Sequence, residues 1–228
     1  MSHKSIIVCL YLFFVNAQLT FVVHAQELDF GFDSKYISEG RHNLQKGGIG
    51  WLQLSHQLSQ SISVIGLYGE ASDYNELNLS VLYSNSYAEM NYYFSLTHLE
   101  FMRDNLNDTE LGFGASYAVT EPITIALDSV YSREAEGGFI EFSVSYLAQI
   151  NTYISLAPYA KAGLDYGYAS DIKEGYNHTA VGIVTAFLAS RDVSFNLTFE
   201  HNISAEHVKQ ETEKRHQTWL GLHLVYLF

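Results

Sequence analysis

Residues 215–228 read Arg-His-Gln-Thr-Trp-Leu-Gly-Leu-His-Leu-Val-Tyr-Leu-Phe, and this stretch decides the fold class. From Leu220 onward an apolar residue occupies every second position, at Leu220, Leu222, Leu224, Tyr226 and Phe228. Successive side chains of an extended strand point to opposite faces, so this spacing gives one continuous apolar face. The segment therefore predicts a β-strand whose apolar face must be covered by something other than water.

The same period-two alternation runs through most of the chain that precedes this strand. Stripes such as Leu77, Leu79 and Val81 are separated by Ser, Asn, Thr and Gly residues, which gives each strand one apolar and one polar face. Pro158 has no N–H to donate, which predicts a bulge, a kink or a shifted strand boundary around it. The alternation predicts about twelve strands, with ten or fourteen as alternative counts, at residues 27–36, 48–58, 62–70, 76–84, 87–99, 109–119, 123–132, 138–148, 152–165, 177–188, 193–203 and 215–228.

Connections between these strands alternate between short turns and generally longer polar loops. The longest predicted loops are residues 37–47, 166–176 and 204–214, and aromatic residues gather beside both the turns and the loops. Both features are typical of an antiparallel, up-and-down transmembrane β-barrel with aromatic belts at two membrane interfaces. A soluble β-sandwich or lipocalin-like barrel with an aromatic core is the alternative.

Hydrophobic residues make up 47% of the chain, yet after residue 25 no apolar run reaches the length of about 20 residues that a spanning helix needs. In hydrocarbon every backbone N–H and C=O needs an internal partner, which only helices and closed barrels provide. Any membrane residence is therefore expected to use strands. The predicted fold class is all-β.

Two segments resemble known outer-membrane proteins. The last strand, with Phe228 as its final residue, looks like the terminal signal that such proteins present to the barrel assembly machinery. Residues 28–41, which end in Ser38-Glu39-Gly40-Arg41, resemble the first hairpin of a family of uncharacterised proteobacterial outer-membrane β-barrel, porin-like proteins. The resemblance implies a barrel in the bacterial outer membrane, with membrane lipids and the assembly machinery as partners, and it lends no functional residue.

The first 25 residues are typical of a cleaved secretory signal peptide. Lys4 supplies the positive start, residues 6–15 the apolar core, and Ala25 ends a small-residue cleavage pattern. An uncleaved anchor is the alternative, but the apolar run is short for a spanning helix. We expect residues 26–228 to form one barrel domain, and the only cysteine, Cys9, to be removed with the signal.

Charge and motifs exclude several classes of function. The formal net charge is −13, with 12 Lys and Arg against 25 Asp and Glu, so clustered bases for a nucleic-acid backbone are lacking. No Gly-rich phosphate loop lies between a strand and a helix, and no set of Cys and His has metal-ligand spacing. We therefore expect no nucleic-acid partner, no cofactor and no metal.

If the apolar stripes face lipid, the residues between them face the barrel lumen. A barrel of about twelve strands is wider than an eight-stranded one, so a narrow water-filled passage is expected, and its carboxylates favour cations. The prediction is a passive porin-like channel for cationic or neutral small solutes; a plugged, non-conducting structural or adhesive barrel is the alternative. The candidate lumen residues are Asp29, Asp33, Lys35, Glu76, Glu89, Glu110, Asp128, Glu141, Lys161, Asp165 and Glu200.

A barrel lipid hydrolase is a further alternative, because a serine hydroxyl next to a histidine can become a nucleophile. His98, close to Ser95 and Thr97, has the most suitable position, and His56 interrupts an outward apolar series. Strict alternation places Ser95 and His98 on opposite faces, which argues against that pair. We therefore predict that the protein is not an enzyme.

The segment from residue 200 to residue 216 contains His201, His207 and His216 among several glutamates. Imidazoles and carboxylates together can bind a divalent transition metal, and His201 and His216 could approach each other across the mouth of a hairpin. Because the spacing defines no ligand geometry, a solvated charged loop is the preferred interpretation.

Overall fold

The structure is a computed structural model that describes residues 26–170, 174–208 and 214–228. The predicted signal peptide, residues 1–25, lies outside the described residues. No helix among the described residues is long and apolar enough to span a membrane.

Twelve antiparallel strands form one closed barrel, with short additional pairings. Each wall strand pairs with the next wall strand along the chain, including β10 with β12, and the pairing of β1 with β15 closes the ring. The short pieces β2 and β3 form a separate hairpin. The strands are β1 (Gln26–Asp33), β2 (Ile37–Ser38), β3 (Arg41–His42), β4 (Ile49–Gln57), β5 (Ile62–Glu70), β6 (Asn75–Tyr87), β7 (Met90–Phe101), β8 (Leu106–Thr120), β9 (Ile123–Ser132), β10 (Gly137–Tyr146), β11 (Ala148–Gln149), β12 (Ile154–Tyr166), β13 (Gly175–Leu188), β14 (Val193–Ser204) and β15 (His216–Leu227).

The strand register puts the apolar stripes on the outside of the barrel. Phe30 pairs with Leu52 on one side and with Leu224 on the other, while Asp29, one residue earlier, pairs with Gln53 and Val225. Phe30 and Leu52 of the first phase are exposed, whereas Asp29, Gln53 and Val225 of the second phase are buried. Because an exposed apolar belt of this extent is unfavourable in water, the outer surface suits lipid.

All twelve predicted wall strands are present, and the predicted transmembrane barrel is confirmed. The two ends of the barrel differ: the turn end carries both described chain ends, and the loop end carries the connections 34–48, 167–174 and 205–215. The other three connections at the loop end are only four residues each, because β6, β7, β8 and β10 extend further at this end than predicted.

Pro158 lies within β12 and keeps its pairing with Ile183 of β13. On the other side the pairing with β10 ends at Tyr159, and the next partner residue, Ala148, belongs to the separate piece β11. The expected irregularity is therefore an interruption of the neighbouring strand rather than of the strand that contains the proline. The missing N–H explains it, because Pro158 has no donor for that side of the ladder.

The barrel wall divides into two arcs that differ in the burial of their inward side chains. We call β10, β12 to β15, β1 and β4 the packed arc, and β5 to β9 the open arc. In the packed arc, inward residues such as Asp29, Glu200 and Val225 are almost completely buried. In the strands of the open arc, the only buried non-glycine residues are Glu76, Ser116 and Ser132.

Candidate functional site

The first connection at the loop end folds into a short hairpin, which we call the constriction hairpin (residues 37–42). Glu39 and Gly40 form its turn with positive φ values of 45° and 72°. A Cβ atom on Gly40 would lie 2.5 Å from Oδ1 of Asn177 and 2.8 Å from Cβ of His178. Glycine is therefore required twice here, for the backbone conformation and for the close approach to β13.

Hydrogen bonds fasten the tip of the constriction hairpin to the packed arc. The carbonyl oxygen of Gly40 accepts hydrogen bonds from Asn202 Nδ2 at 3.2 Å and from Ser204 Oγ at 2.6 Å. Arg41 Nη1 donates to the carbonyl oxygen of Ala169, in the β12–β13 connection, at 2.8 Å. These contacts place the hairpin inside the barrel mouth.

The base of the hairpin is held from the opposite direction. The Tyr36 ring packs edge-on against Trp51, with centroids 5.1 Å apart, and the Tyr36 hydroxyl donates to Glu76 at 3.3 Å. Leu44, which follows the hairpin in the chain, is buried together with Ile49 and Trp51. Since both sides of the hairpin are fixed, its position is defined by the fold.

A cavity of about 190 Å³ lies between the hairpin and the inner wall. It extends from the hairpin tip and β13–β14 to Tyr93 of β7 and Asp128 of β9, so it spans both arcs. Its ionisable lining contains four carboxylates, one lysine and one histidine: Glu39, Asp128, Glu141, Glu200, Lys161 and His178. When the four carboxylates are ionised, the net charge of this lining is negative whether the histidine is neutral or protonated.

Lys161 is the centre of an ion-pair network in the packed arc. Its Nζ lies 3.2 Å from Glu200 and 3.7 Å from Glu141, and His178 Nε2 lies 3.2 Å from the same Glu141. Glu200 also accepts hydrogen bonds from Tyr159 at 2.7 Å and from Trp219 at 3.0 Å. Buried charges require this degree of pairing because their desolvation is costly.

Asp128 faces this network from the open arc. Its Oδ1 accepts a hydrogen bond from the Tyr93 hydroxyl at 2.9 Å. The Tyr93 ring lies over Gly114, where an added Cβ would come within 2.0 Å of the ring. Asp128 is half-buried and makes no ion pair among the described residues, so its charge faces the cavity.

A second buried cluster connects β1, β4 and β15. His223 Nδ1 lies 2.9 Å from Asp29 and its Nε2 lies 3.4 Å from Asp33. Trp51 Nε1 donates to the other oxygen of Asp33 at 2.8 Å. Both aspartates are almost completely buried, and their contacts are with the wall.

Ten of the eleven candidate lumen residues lie on the inner side of the barrel. Asp29, Asp33, Glu76, Asp165 and Glu200 are buried, and Lys35, Glu110, Asp128, Glu141 and Lys161 are half-buried. Most of them have protein partners. Lys35 Nζ donates to Gln217 at 3.1 Å, and burial together with the charge of Lys214 lowers its pKa. Tyr168, whose pKa is raised by burial, donates to Glu110 at 2.5 Å.

Glu89 was predicted wrongly. It is exposed in the two-residue turn between β6 and β7, at the turn end of the barrel. The predicted strand began at residue 87, but β6 continues to Tyr87 and Ala88 adopts a positive φ of 52°. A period-two pattern passes through a tight turn without a visible change, so alternation alone does not locate this turn.

Sequence reasoning also missed several residues of the site. Tyr93, Tyr159, Trp219 and His178 occupy the inward phase of their strands and bond the carboxylates. Each of them is an aromatic residue with a polar atom, and each lies at a position where the alternation predicts an inward, polar side chain. This combination could have identified them from the sequence. The inward fold of residues 37–42 left no such signal.

The alternative hydrolase pair is not assembled. Ser95 belongs to the inward phase of β7 and His98 to the outward phase, where it is exposed. His56 also lies in the outward phase, on β4. A nucleophile and its base must come within hydrogen-bond reach, so this geometry does not support the pair.

The closed antiparallel wall, the apolar exterior and the polar interior define a β-barrel of the outer-membrane class. No protein-family model matches the chain, and no curated protein matches it.

Solved structures similar to this barrel are outer-membrane porins and related barrels. The KdgM porin aligns over 89% of this chain and 99% of its own, with a TM-score of 0.63 and 11% identity. The NanC porin aligns over 88% and 98%, with a TM-score of 0.60 and 10% identity. LpxR from Salmonella typhimurium aligns over 89% and 100%, with a TM-score of 0.54 and 8% identity. At these identities the likeness concerns the fold.

Proposed function

We propose that this protein is a narrow diffusion channel of the bacterial outer membrane that favours cationic or neutral small solutes. In this proposal the signal peptide directs export, the barrel assembly machinery inserts the barrel, and the loop end faces the cell exterior. The observation that carries the proposal is the cavity beneath the constriction hairpin, with four carboxylates against one lysine and one histidine. Carboxylates that line a water-filled passage attract cations and repel anions.

The similar porins support the channel, and the lining charges support the preference for a solute class. The KdgM porin has been solved in complex with disordered oligogalacturonate, a chain of acidic sugars. The lining of the present cavity repels such a polyanion, because Glu39 and Asp128 face it from opposite sides. We therefore propose that this barrel shares the pathway with those porins and differs in the charge of its solutes.

The channel is tested by recording single-channel currents of the purified protein in planar bilayers under a KCl gradient. We expect discrete steps and a reversal potential that indicates preference for K⁺. Asp128→Asn, and separately Glu39→Gln, should lower the K⁺/Cl⁻ permeability ratio by about twofold, because salt screens a single charge only partly within the pore. Glu89→Gln is the matched control and should leave the ratio unchanged, since Glu89 is exposed at the turn end.

Absence of current steps from folded protein would favour the non-conducting structural or adhesive barrel, and selectivity for Cl⁻ would contradict the proposed solute class.

The role of the constriction hairpin is tested by removing its attachment to β14. The double change Asn202→Ala and Ser204→Ala deletes both hydrogen bonds to Gly40, so the hairpin should move and the unitary conductance should rise. Ser80→Ala with Thr97→Ala is the matched control, because it removes two polar side chains that hydrogen-bond each other at 2.8 Å on the inner face of β6 and β7, away from Gly40. If both double variants change the conductance equally, the hairpin does not set it.

A further inference from the structure

Two histidines lie side by side on the outer face of the barrel, at the loop end of β14 and β15. Nδ1 of His216 is 3.4 Å from Nε2 of His201, and the rings stack with centroids 5.6 Å apart. In the register His201 pairs with Thr218 and His216 pairs with Ile203, so the histidines are diagonal neighbours. Long side chains at diagonal positions of a sheet can reach each other.

The pair is located at the edge of the apolar belt. Directly towards the turn end, the next outward residues are Phe199 and Leu220, which are paired with each other and exposed as part of the belt. The two histidines and Thr218 lie on the same outer face, next to these apolar residues, and their polar atoms are exposed. The site therefore lies at the level of the membrane surface, where an ion can reach it from water.

The geometry of the pair suits two ligands of one metal ion. Thr218 Oγ1 lies 2.7 Å from Nδ1 of His201 and so orients the ring with Nε2 towards His216. Two Zn–N bonds of about 2.0–2.1 Å at a tetrahedral angle separate their nitrogens by about 3.4 Å. The observed 3.4 Å matches that separation and exceeds the ordinary hydrogen-bond range of about 2.7–3.2 Å.

We propose that His201 and His216 form a surface site for a transition-metal ion such as Zn²⁺ or Cu²⁺. Imidazole nitrogen is a preferred ligand of both ions, and a polar group bonded to the second ring nitrogen is the usual support of a metal-binding histidine. No group of three or more His, Cys, Asp or Glu side chains suited to a metal occurs among the described residues, and the proposed site uses these two imidazoles. The bound ion would join β14 and β15 at the base of the 205–215 connection. This proposal is independent of whether the barrel conducts.

The test is titration of CuCl₂ into the full chain folded in detergent micelles, followed by calorimetry and by electron paramagnetic resonance. We expect one site with two coordinating nitrogens. His201→Ala and His216→Ala should each lower the affinity at least about tenfold, because two linked ligands bind far better than one. Thr218→Val should lower it about tenfold through loss of the orienting contact.

His98→Ala is the matched control, since His98 is exposed on the outer face of β7 and its cross-strand partners are Leu79 and Thr109. It should keep the wild-type affinity and the two-nitrogen signal. The proposal is overturned if either single histidine variant binds Cu²⁺ as wild type does, or if His98→Ala weakens binding as much as they do. Heat-modifiable migration on gels confirms that each variant is folded.

Discussion

The packed and open arcs of the barrel have the same kind of outer surface but differ in the burial of their inner side chains. Both present apolar side chains outward, because both contact the same solvent there. Inside, the packed arc carries the constriction hairpin, the Lys161 network and the His223 cluster, whereas the open arc carries half-exposed small polar residues such as Ser63, Ser80 and Thr97. The wall against which the hairpin docks is therefore packed like a protein core, whereas the inner side chains of the facing wall remain accessible to water.

The sharpest test of this comparison removes one cation from each arc. Lys161→Met leaves Glu200 and Glu141 buried without their shared cation and should lower the free energy of unfolding by about 3 kcal/mol or more. Arg103→Met breaks the exposed pair with Glu70 at the rim of the open arc and should cost far less, because water and salt screen an exposed ion pair. Urea unfolding of the two variants measures both values; equal losses would contradict the division into arcs.

A pair of valines tests packing without charge. Val225, on β15, is 1% exposed, and Val130, on β9, is half-buried against the cavity. Val225→Ala should lower the free energy of unfolding by about 2 kcal/mol, since burial of a valine contributes about 1.5–3 kcal/mol. Val130→Ala should cost under about 1 kcal/mol because much of its surface already meets solvent. A larger loss for Val130→Ala in the same urea series would mean that the open arc is also a core.

Two tyrosine hydroxyls give the smallest expected contrast. Tyr159→Phe removes a buried hydrogen bond to Glu200 and should destabilise by about 1.5 kcal/mol, the lower range for a bond to a charged group. Tyr93→Phe removes the corresponding bond to the half-buried Asp128 and should cost about 0.5 kcal/mol, since water replaces the donor. Midpoints of urea unfolding at constant slope compare the two; the reverse order would show that Asp128 is less hydrated than its exposure indicates.

The accuracy of the sequence prediction varied with the range of the interactions. Alternation located all twelve wall strands and the inward phase of residues such as Asp29 and Glu200, because the two-residue period is a local property of the chain. It failed at Glu89, where a tight turn preserves the period. It also assigned residues 37–47 simply to a loop, because a turn at Glu39-Gly40 is compatible with a hairpin that points either way.

The segment from residue 200 to residue 216 shows the same limit. Its histidines were predicted to be able to approach, yet only the register of β14 against β15 brings His201 within 3.4 Å of His216. The spacing of the two histidines along the chain does not indicate that their ring nitrogens lie this close together.

An antiparallel barrel with an apolar exterior follows from the sequence alone, because hydrophobic periodicity and backbone hydrogen bonding leave few other arrangements for such strands. The tertiary structure alone decided which inner wall became packed, where the constriction hairpin docks and which carboxylates face the cavity. These features depend on contacts between residues that lie on different strands and far apart in the chain, such as Asn202 with Gly40 and Lys161 with Glu200, and no local pattern encodes them.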